Sequence, residues 1–418
     1  MQTPFVLVEQ NLVDYRGHYY GYIKSLVDCL ENRNTACRTV CHRDARPELC
    51  GAVRGIPHFS WRFNGLFPGY FRIGRHVFGM AQRAWFRRVC RHFRSDLRGL
   101  PARIRVTHDS ICYFSTLISP EILGIAQWLR TVPEGERPRI AVMLRFRPGQ
   151  PYIGRRLSER FYTHALRALA SLDSGGRVAL VSDSNLLAER YSDLADLRVG
   201  TVPIPHTAPT GGFAGIANGL TGGPPPLRMA FLGRAVPEKG FAMLPRIFEP
   251  FREDIAGERL SLTVQGPSVE EGALERAMGA VASELRDIGA TVLPTALPPG
   301  EYYQALRNAH VIILPYQTRA NDYLGTSGVF TEAVALGKPV IVTAGTWMAK
   351  QLEALGAGRV VPRADGPSFQ IAVREVLDNP GPILARSARV AEAWRRFHNP
   401  ENLIRCLESS FDTFPGGV

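Results

Sequence analysis

Lysine is almost absent from this chain: four lysines, at positions 24, 239, 338 and 350, stand against 46 arginines in 418 residues. The formal net charge of +12 is therefore carried by guanidinium groups, and any lysine inside a motif reads as selected for its compact, mobile charge. No apolar run approaches the ~18 residues that a membrane-spanning helix requires. Phe5–Val8 is too short for the apolar region of a signal peptide, so a cytoplasmic protein is expected. Seven cysteines, at 29, 37, 41, 50, 90, 112 and 406, include no Cys-x-x-Cys pair, which argues for reduced thiols rather than disulfides. Cys37, Cys41 and His42 invite a metal-site reading, but no second ligand pair at a standard spacing follows them. Asp-x-Asp is also missing, so no metal is implied.

What is present reads as strand and helix alternating twice over. Phe5–Glu9 reads as a buried strand, Asn11–Arg16 as a polar loop, and Tyr20–Leu30 as a helix with Ile23, Leu26, Val27 and Leu30 at helical spacing. Ile111–Phe114, Ile140–Leu144, Val178–Val181, Met229–Leu232, Leu260–Gly266 and Val340–Val342 are further strand candidates. Such alternation predicts α/β domains with parallel sheets, whose ligands sit beyond the carboxyl ends of the strands. A chain 45% hydrophobic and 21% charged is ample for two cores of this kind. Residues 204–226, rich in proline and glycine and without apolar period, read as the linker between a first domain over 1–203 and a second over 227–382.

Two segments of the second half carry chemistry. Residues 228–240, RMAFLGRAVPEKG, read as a strand entering a glycine loop with Arg234 and Lys239. A planar fork and a mobile point charge on one loop suit a diphosphate, and together can neutralise a leaving group as it acquires negative charge. Residues 325–345, GTSGVFTEAVALGKPVIVTAG, read as a polar glycine turn, a short helix and a strand. Ser327 is a good N-cap, and the free N–H groups of the first helical turn favour a bound phosphate there. Glu332 lies one turn in from Gly328 on the same face, where a carboxylate can accept hydrogen bonds from the hydroxyls of a sugar.

In order, spacing and flanking pattern these segments resemble the C-terminal half of the group 1 retaining glycosyltransferases with the GT-B fold, over roughly residues 227–375. Tyr302–Pro315 is similar to that family's helix, corner, apolar strand and proline. The resemblance implies two Rossmann-like doubly wound parallel-sheet domains facing across a cleft, with a last segment, 383–418, crossing back to the first domain. It implies that Arg234 and Lys239 hold a nucleotide diphosphate and that Glu332 binds the ribose. Gly233 and the backbone around Thr326, Ser327, Gly328 and Val329 would face the phosphates or the sugar, and Gly17 and His18 would approach donor or acceptor. Retention would then proceed by same-face attack of the acceptor hydroxyl, without a cofactor or a protein nucleophile. Where the family usually carries a second glutamate, eight positions before the first, this chain has Leu324, flanked by Asp322 and Tyr323.

The first half is less specified. Many relatives place a histidine at the end of the fourth strand, whereas here Ile111–Phe114 ends in Ser115-Thr116 and His108 precedes it. His108, Arg145 and Arg147 are candidates to line the site. Segment 61–105 holds eleven arginines and one acid, Asp96, so it carries nearly all of the net charge; Trp61, Phe63, Phe67, Tyr70, Phe71, Phe78, Trp85, Phe86 and Phe93 are interleaved. Such a segment suits an anionic membrane surface, a solvated helix or nucleic acid. The leading expectation is a sugar-nucleotide-dependent transferase working on a glycan or lipid-linked acceptor of a bacterial envelope, peripheral on the inner membrane face. A sugar-nucleotide epimerase of the same fold, and a non-catalytic basic binding protein, are the alternatives.

Overall fold

The computed structural model describes residues 4–15, 19–62, 75–100, 104, 106–148, 155–205, 226–266, 273–294, 297–317 and 323–411. The chain divides into two units, one of Met1–Pro205 with Asn399–Val418 and one of His206–His398.

The first unit is built on seven strands: β1 (Phe5–Glu9), β2 (Cys37–His42), β3 (Gly55–Phe59), β4 (Ile111–Phe114), β5 (Arg139–Met143), β6 (Val178–Ser182) and β7 (Gly200–Thr201). They pair in the order β3-β2-β1-β4-β5-β6-β7, and each pairing is parallel. β1 and β4 are buried at every position, as continuous apolar strands covered on both faces must be. Cys37 and Cys41 belong to β2 and sit in the core. The Cys41 sulfur lies 3.7 Å from that of Cys50 and both are free thiols, so these side chains pack as small apolar groups.

Helices cover this sheet: α1 (Tyr19–Asn32), α2 (Arg75–Arg98), α3 (Ser119–Leu129), α4 (Arg155–Ala170) and α5 (Asn185–Ala195). α1 turns Tyr22, Ile23, Leu26, Val27 and Leu30 into the core, each aliphatic contributing about 1.5–3 kcal/mol on burial. In α2, Phe86, Val89, Cys90, Phe93 and Leu97 recur every three or four residues and are buried, while Arg83, Arg87, Arg88 and Arg91 are exposed. Phe86 and Phe93 are thus core residues and present no aromatic surface to a membrane. Phe63, Phe67, Tyr70 and Phe71 lie outside the described residues.

Two buried carboxyls sit at the carboxyl ends of β1 and β4. Glu121, in the first turn of α3, accepts hydrogen bonds from Ile118 N (2.7 Å) and Gln10 Nε2 (3.1 Å). Burial pushes its carboxyl from 4.5 up to about 8, and burial raises Glu9 in the same direction. A carboxyl that holds its proton more tightly when folded favours folding at low pH and loses that advantage as pH rises through its folded value. Stability should therefore decline between about pH 4.5 and 8. Glu121→Gln, which keeps the acceptor for Ile118 without an ionisable group, is expected to melt several degrees above wild type at pH 8.5 and within a degree of it at pH 5. Calorimetric scans across that range check this.

The second unit has six parallel strands: β8 (Leu227–Phe231), β9 (Leu260–Gln265), β10 (Thr291–Leu293), β11 (Val311–Leu314), β12 (Val340–Thr343) and β13 (Gly358–Val361). Their order is β10-β9-β8-β11-β12-β13. Its longer helices are α6 (Ala273–Asp287), α7 (Pro299–Asn308), α8 (Gly328–Ala335), α9 (Trp347–Leu355), α10 (Gly366–Asp378) and α11 (Gly381–Phe397). The segment expected to cross back divides between the units. α11 stays with the second, where Ile383 enters the core and Trp394 Nε1 donates to Thr331 O at 3.0 Å. The next helix, α12 (Pro400–Ser409), packs on the first unit. There Leu403, Ile404 and Leu407 join the core beside α1, and Arg33 Nη2 reaches both carboxylate oxygens of Glu408 at 3.1 Å.

Candidate functional site

The second sheet reverses direction between β8 and β11, which are hydrogen-bonded neighbours far apart in sequence. The chain leaves β8 toward β9 and leaves β11 toward β12, so the two exits part and open a crevice at the carboxyl edge. Both motif segments follow these strands in the chain: the loop of Arg234 and Lys239 comes after β8, and Ser327 with α8 comes after β11.

Glycine makes their close approach possible. Gly233 has a left-handed φ of +100°, and its N–H donates to Gln265 Oε1 at 2.6 Å. A Cβ placed on it would lie 3.3 Å from Val329 Cγ2 and 3.7 Å from Lys239 Nζ, so the β8 loop, its lysine and the start of α8 meet there. Pro237–Lys239 forms one 3₁₀ turn, closed by Gly240 at φ +80°. A Cβ on Gly240 would fall 1.9 Å from Pro315 O, so only glycine lets this loop press onto the chain leaving β11. Gln317 N donates to Glu238 O at 2.9 Å and fastens the two exits together.

Lys239 is half-buried, with Nζ 5.8 Å above the Tyr316 ring, and Arg234 is exposed. Neither forms a salt bridge among the described residues. Two other lysines are committed: Lys24 pairs with Asp28 at 2.5 Å, and buried Lys338 donates to Arg307 O at 2.8 Å. Burial, with Arg228 nearby, lowers the Lys338 ammonium to about 8. Among the described residues, Lys239 and Arg234 are thus cations held at the crevice without an anion.

Ser327 caps α8, its Oγ accepting from Phe330 N at 3.4 Å and lying 3.2 Å from Tyr316 Oη. Thr326 and Gly328 on either side are half-exposed, and the first turn of a helix is where N–H groups lack intrahelical partners. Glu332, one turn further, is only 4% exposed. Its carboxylate accepts from Tyr302 Oη at 2.5 Å and Tyr303 Oη at 3.3 Å. Burial first, and then the Glu332 charge, push the Tyr302 phenol well above its usual range, which keeps it a donor. The two tyrosines thus orient the Glu332 carboxylate, a group that only accepts hydrogen bonds. Neither tyrosine is recognisable as a site residue from sequence, since each meets Glu332 across some thirty positions. Leu324 is half-buried beside Tyr323, which bridges to Thr346, and Asp322 lies outside the described residues.

Candidates in the first unit are dispersed. Gly17 and His18 lie outside the described residues. His108 is exposed in the turn before β4, at the amino edge of its sheet, 3.5 Å from Asp109 Oδ1. Arg145 lies two residues beyond β5 at the opposite, carboxyl edge, its guanidinium 3.9 Å from the Tyr22 ring centroid, so the structure does not bring these two together. Arg147 comes two residues later, half-buried. A surface groove of about 990 Å³, lined by Arg130, Arg156, Arg160 and Arg167, lies along α4 and includes none of these candidates. Among the described residues no three His, Cys, Asp or Glu side chains are grouped to hold a metal, and no helix is long and apolar enough to cross a membrane.

Residues 226–379 match the model of the glycosyl transferases group 1 family. No curated protein matches the chain in sequence. Among solved structures it resembles a UDP-forming α,α-trehalose-phosphate synthase from Burkholderia xenovorans, at 15% identity over 100% of both chains with TM-score 0.66. It also resembles a sucrose-phosphate synthase from Thermosynechococcus elongatus, at 13% identity over 98% of each chain with TM-score 0.64. A third likeness is to WaaG, a glycosyltransferase involved in lipopolysaccharide biosynthesis, at 13% identity over 99% of this chain and 100% of that one with TM-score 0.57. Residues 226–379 are therefore a domain of the glycosyl transferases group 1 family, and the chain as a whole carries the GT-B fold.

Proposed function

We propose that this protein transfers a sugar from a nucleoside-diphosphate sugar to an acceptor hydroxyl, with retention and without a metal. The observation that carries the reading is the meeting of Lys239, Gly233 and Val329 at the switch point, with no salt bridge to Lys239 or Arg234 among the described residues. The diphosphate lies against the α8 N-terminus with Lys239 and Arg234 on its oxygens, and Glu332, steadied by two tyrosines, accepts from the ribose hydroxyls. As the glycosidic bond breaks, negative charge grows on the departing phosphate oxygen, where both cations stabilise it. That oxygen takes the proton of the acceptor hydroxyl attacking from the same face, and no protein base is needed.

The acceptor is a glycan or lipid-linked glycan of a bacterial envelope, reached from the cytoplasmic face. Two observations support this: one structural neighbour acts in lipopolysaccharide biosynthesis, and α2 exposes Arg83, Arg87, Arg88 and Arg91 in one stripe. Such a stripe binds anionic headgroups by charge, with about 1 kcal/mol for each cation near the surface.

Thermal shift with UDP, GDP, ADP, TDP and CDP tests the donor side. At a hundredfold excess over Kd, a ligand of the native state adds about 2.7 kcal/mol, so one of these diphosphates should raise the Tm by several degrees. If none does, the reading fails. Consumption of a donor sugar nucleotide without any acceptor would point instead to an epimerase.

A further inference from the structure

We propose that the first unit carries a recognition site for an anionic group, a phosphate or a carboxylate, with the Arg145 guanidinium as its ligand. That an anion binds there is argued from the first unit alone; that the anion belongs to the sugar acceptor rests on the transferase reading above.

The placement is that of a ligand site. Arg145 follows β5 and Asp183 follows β6, while Glu9 and Ser115 stand at the ends of β1 and β4, so all four lie at the carboxyl edge of one parallel sheet. This edge includes the strand reversal between β1 and β4, where α/β sheets receive ligands. α5 also starts here, with Ser184 as its N-cap, and its first-turn N–H groups add positive potential.

Arg145 is held in place and yet under-used. Its guanidinium lies on the Tyr22 ring, whose hydroxyl is fixed 2.8 Å from that of Tyr113. Its Nε is 3.3 Å from Asp183 Oδ2, but neither Nε nor Nη2, both buried, makes a well-directed hydrogen bond. Leaving a buried donor unmatched costs about 1–3 kcal/mol. Other arginines of this chain avoid that cost by donating to carbonyls: Arg167 Nε reaches Ala195 O at 2.9 Å and Arg177 Nε reaches Arg137 O at 3.1 Å. Asn185, two residues after Asp183, also has a buried Oδ1 without a partner.

The Glu9 carboxylate is occupied by Asn11 N and Nδ2 at 3.1 Å and by Ser115 Oγ at 2.7 Å. Asp183 is the one carboxylate at ion-pair distance from Arg145 among the described residues. A planar fork with unmatched N–H groups, next to one carboxylate and a helix N-terminus, suits bidentate recognition of phosphate or carboxylate.

Calorimetric titration of the full chain with a hexose 6-phosphate, a hexuronate and the free hexose tests the site. The titrations are made on an Arg234→Ala/Lys239→Ala background, so that the diphosphate site does not take up the phosphate, and repeated with Arg145→Gln and Arg145→Lys. An anionic sugar should bind at least tenfold tighter than the free hexose; Arg145→Gln should bring the two level and Arg145→Lys should fall between. The two anionic probes show whether phosphate or carboxylate is meant. Equal binding of the neutral hexose, no binding of either anion at millimolar concentration, or full affinity in Arg145→Lys overturns the proposal, and Arg145→Lys decides if Arg145→Gln fails to fold. Nucleoside-diphosphate affinity of Arg145→Gln on the otherwise native chain should be unchanged. If no nucleoside diphosphate binds while the Arg145-dependent anion does, the transferase reading fails and this site stands.

Discussion

Replacing Lys239 with alanine is expected to lower kcat/KM for the donor by on the order of 10²–10³ while the melting temperature stays within about a degree or two of wild type. The first half of this expectation follows from the proposed transfer, in which the departing diphosphate acquires negative charge, and from Nζ standing near Gly233 and the start of α8. The second follows from Lys239 being half-buried without a salt bridge among the described residues, so that its removal leaves no buried partner unmatched. Arginine should not substitute for it. The Lys239 ammonium is a compact point charge on a mobile stem, and a planar fork presents its donors to the phosphate oxygens in a different, fixed geometry. Steady-state kinetics and calorimetry on Lys239→Ala and Lys239→Arg check both halves, and a kinetic loss accompanied by an equal loss of stability would assign Lys239 a structural role instead.

Gly240→Ala is expected to be the most damaging single methyl group that can be added near the site. Its Cβ would stand 1.9 Å from Pro315 O and 2.7 Å from Pro315 C, both main-chain atoms, and the residue holds φ at +80°. Relief requires the β8 loop to move off the chain leaving β11, which also breaks the bond from Gln317 N to Glu238 O. A cost of more than about 3 kcal/mol is expected, with a Tm drop of roughly 6–12 °C for a unit of this size. Gly356 provides the comparison: it too is left-handed, at φ +65°, but nothing lies within 4 Å of its Cβ. Gly356→Ala should therefore cost only about 1–2 kcal/mol, the conformational part alone. Equal losses in the two variants, measured by denaturant unfolding, would show that the contact with Pro315 is not what fixes the loop.

The strands that could be read from sequence are the ones buried on both faces. Phe5–Glu9 and Ile111–Phe114 are strands at those bounds, because an unbroken apolar run of that length suits a covered parallel strand. Cys37–His42 is harder, since Arg, Thr and His break its run and the cysteines suggest a metal, whereas Cys37 and Cys41 are there to fill the core. In the site, the glycine loop and the capped helix could be read because their geometry is local: a turn, a cap, a residue one helical turn away. Tyr302, Tyr303 and Gln265 could not, because they reach Glu332 and Gly233 from about thirty residues away in sequence, and only the folded sheet brings them there. Segment 61–105 shows the same limit. Its composition mixes arginine and aromatics, but the helical period separates them, sending Phe86 and Phe93 inward and Arg83, Arg87, Arg88 and Arg91 outward.

The most direct measurement is calorimetric titration of a nucleoside diphosphate, the matching monophosphate and the free nucleoside into wild type, Lys239→Ala and Glu332→Gln. If the β8 loop grips the diphosphate and Glu332 the ribose, affinity should fall at least tenfold from diphosphate to monophosphate in wild type. Lys239→Ala should abolish that step while binding the monophosphate normally, and Glu332→Gln should weaken all three ligands alike. Equal binding of diphosphate and nucleoside by wild type, or a diphosphate preference unchanged in Lys239→Ala, would contradict it.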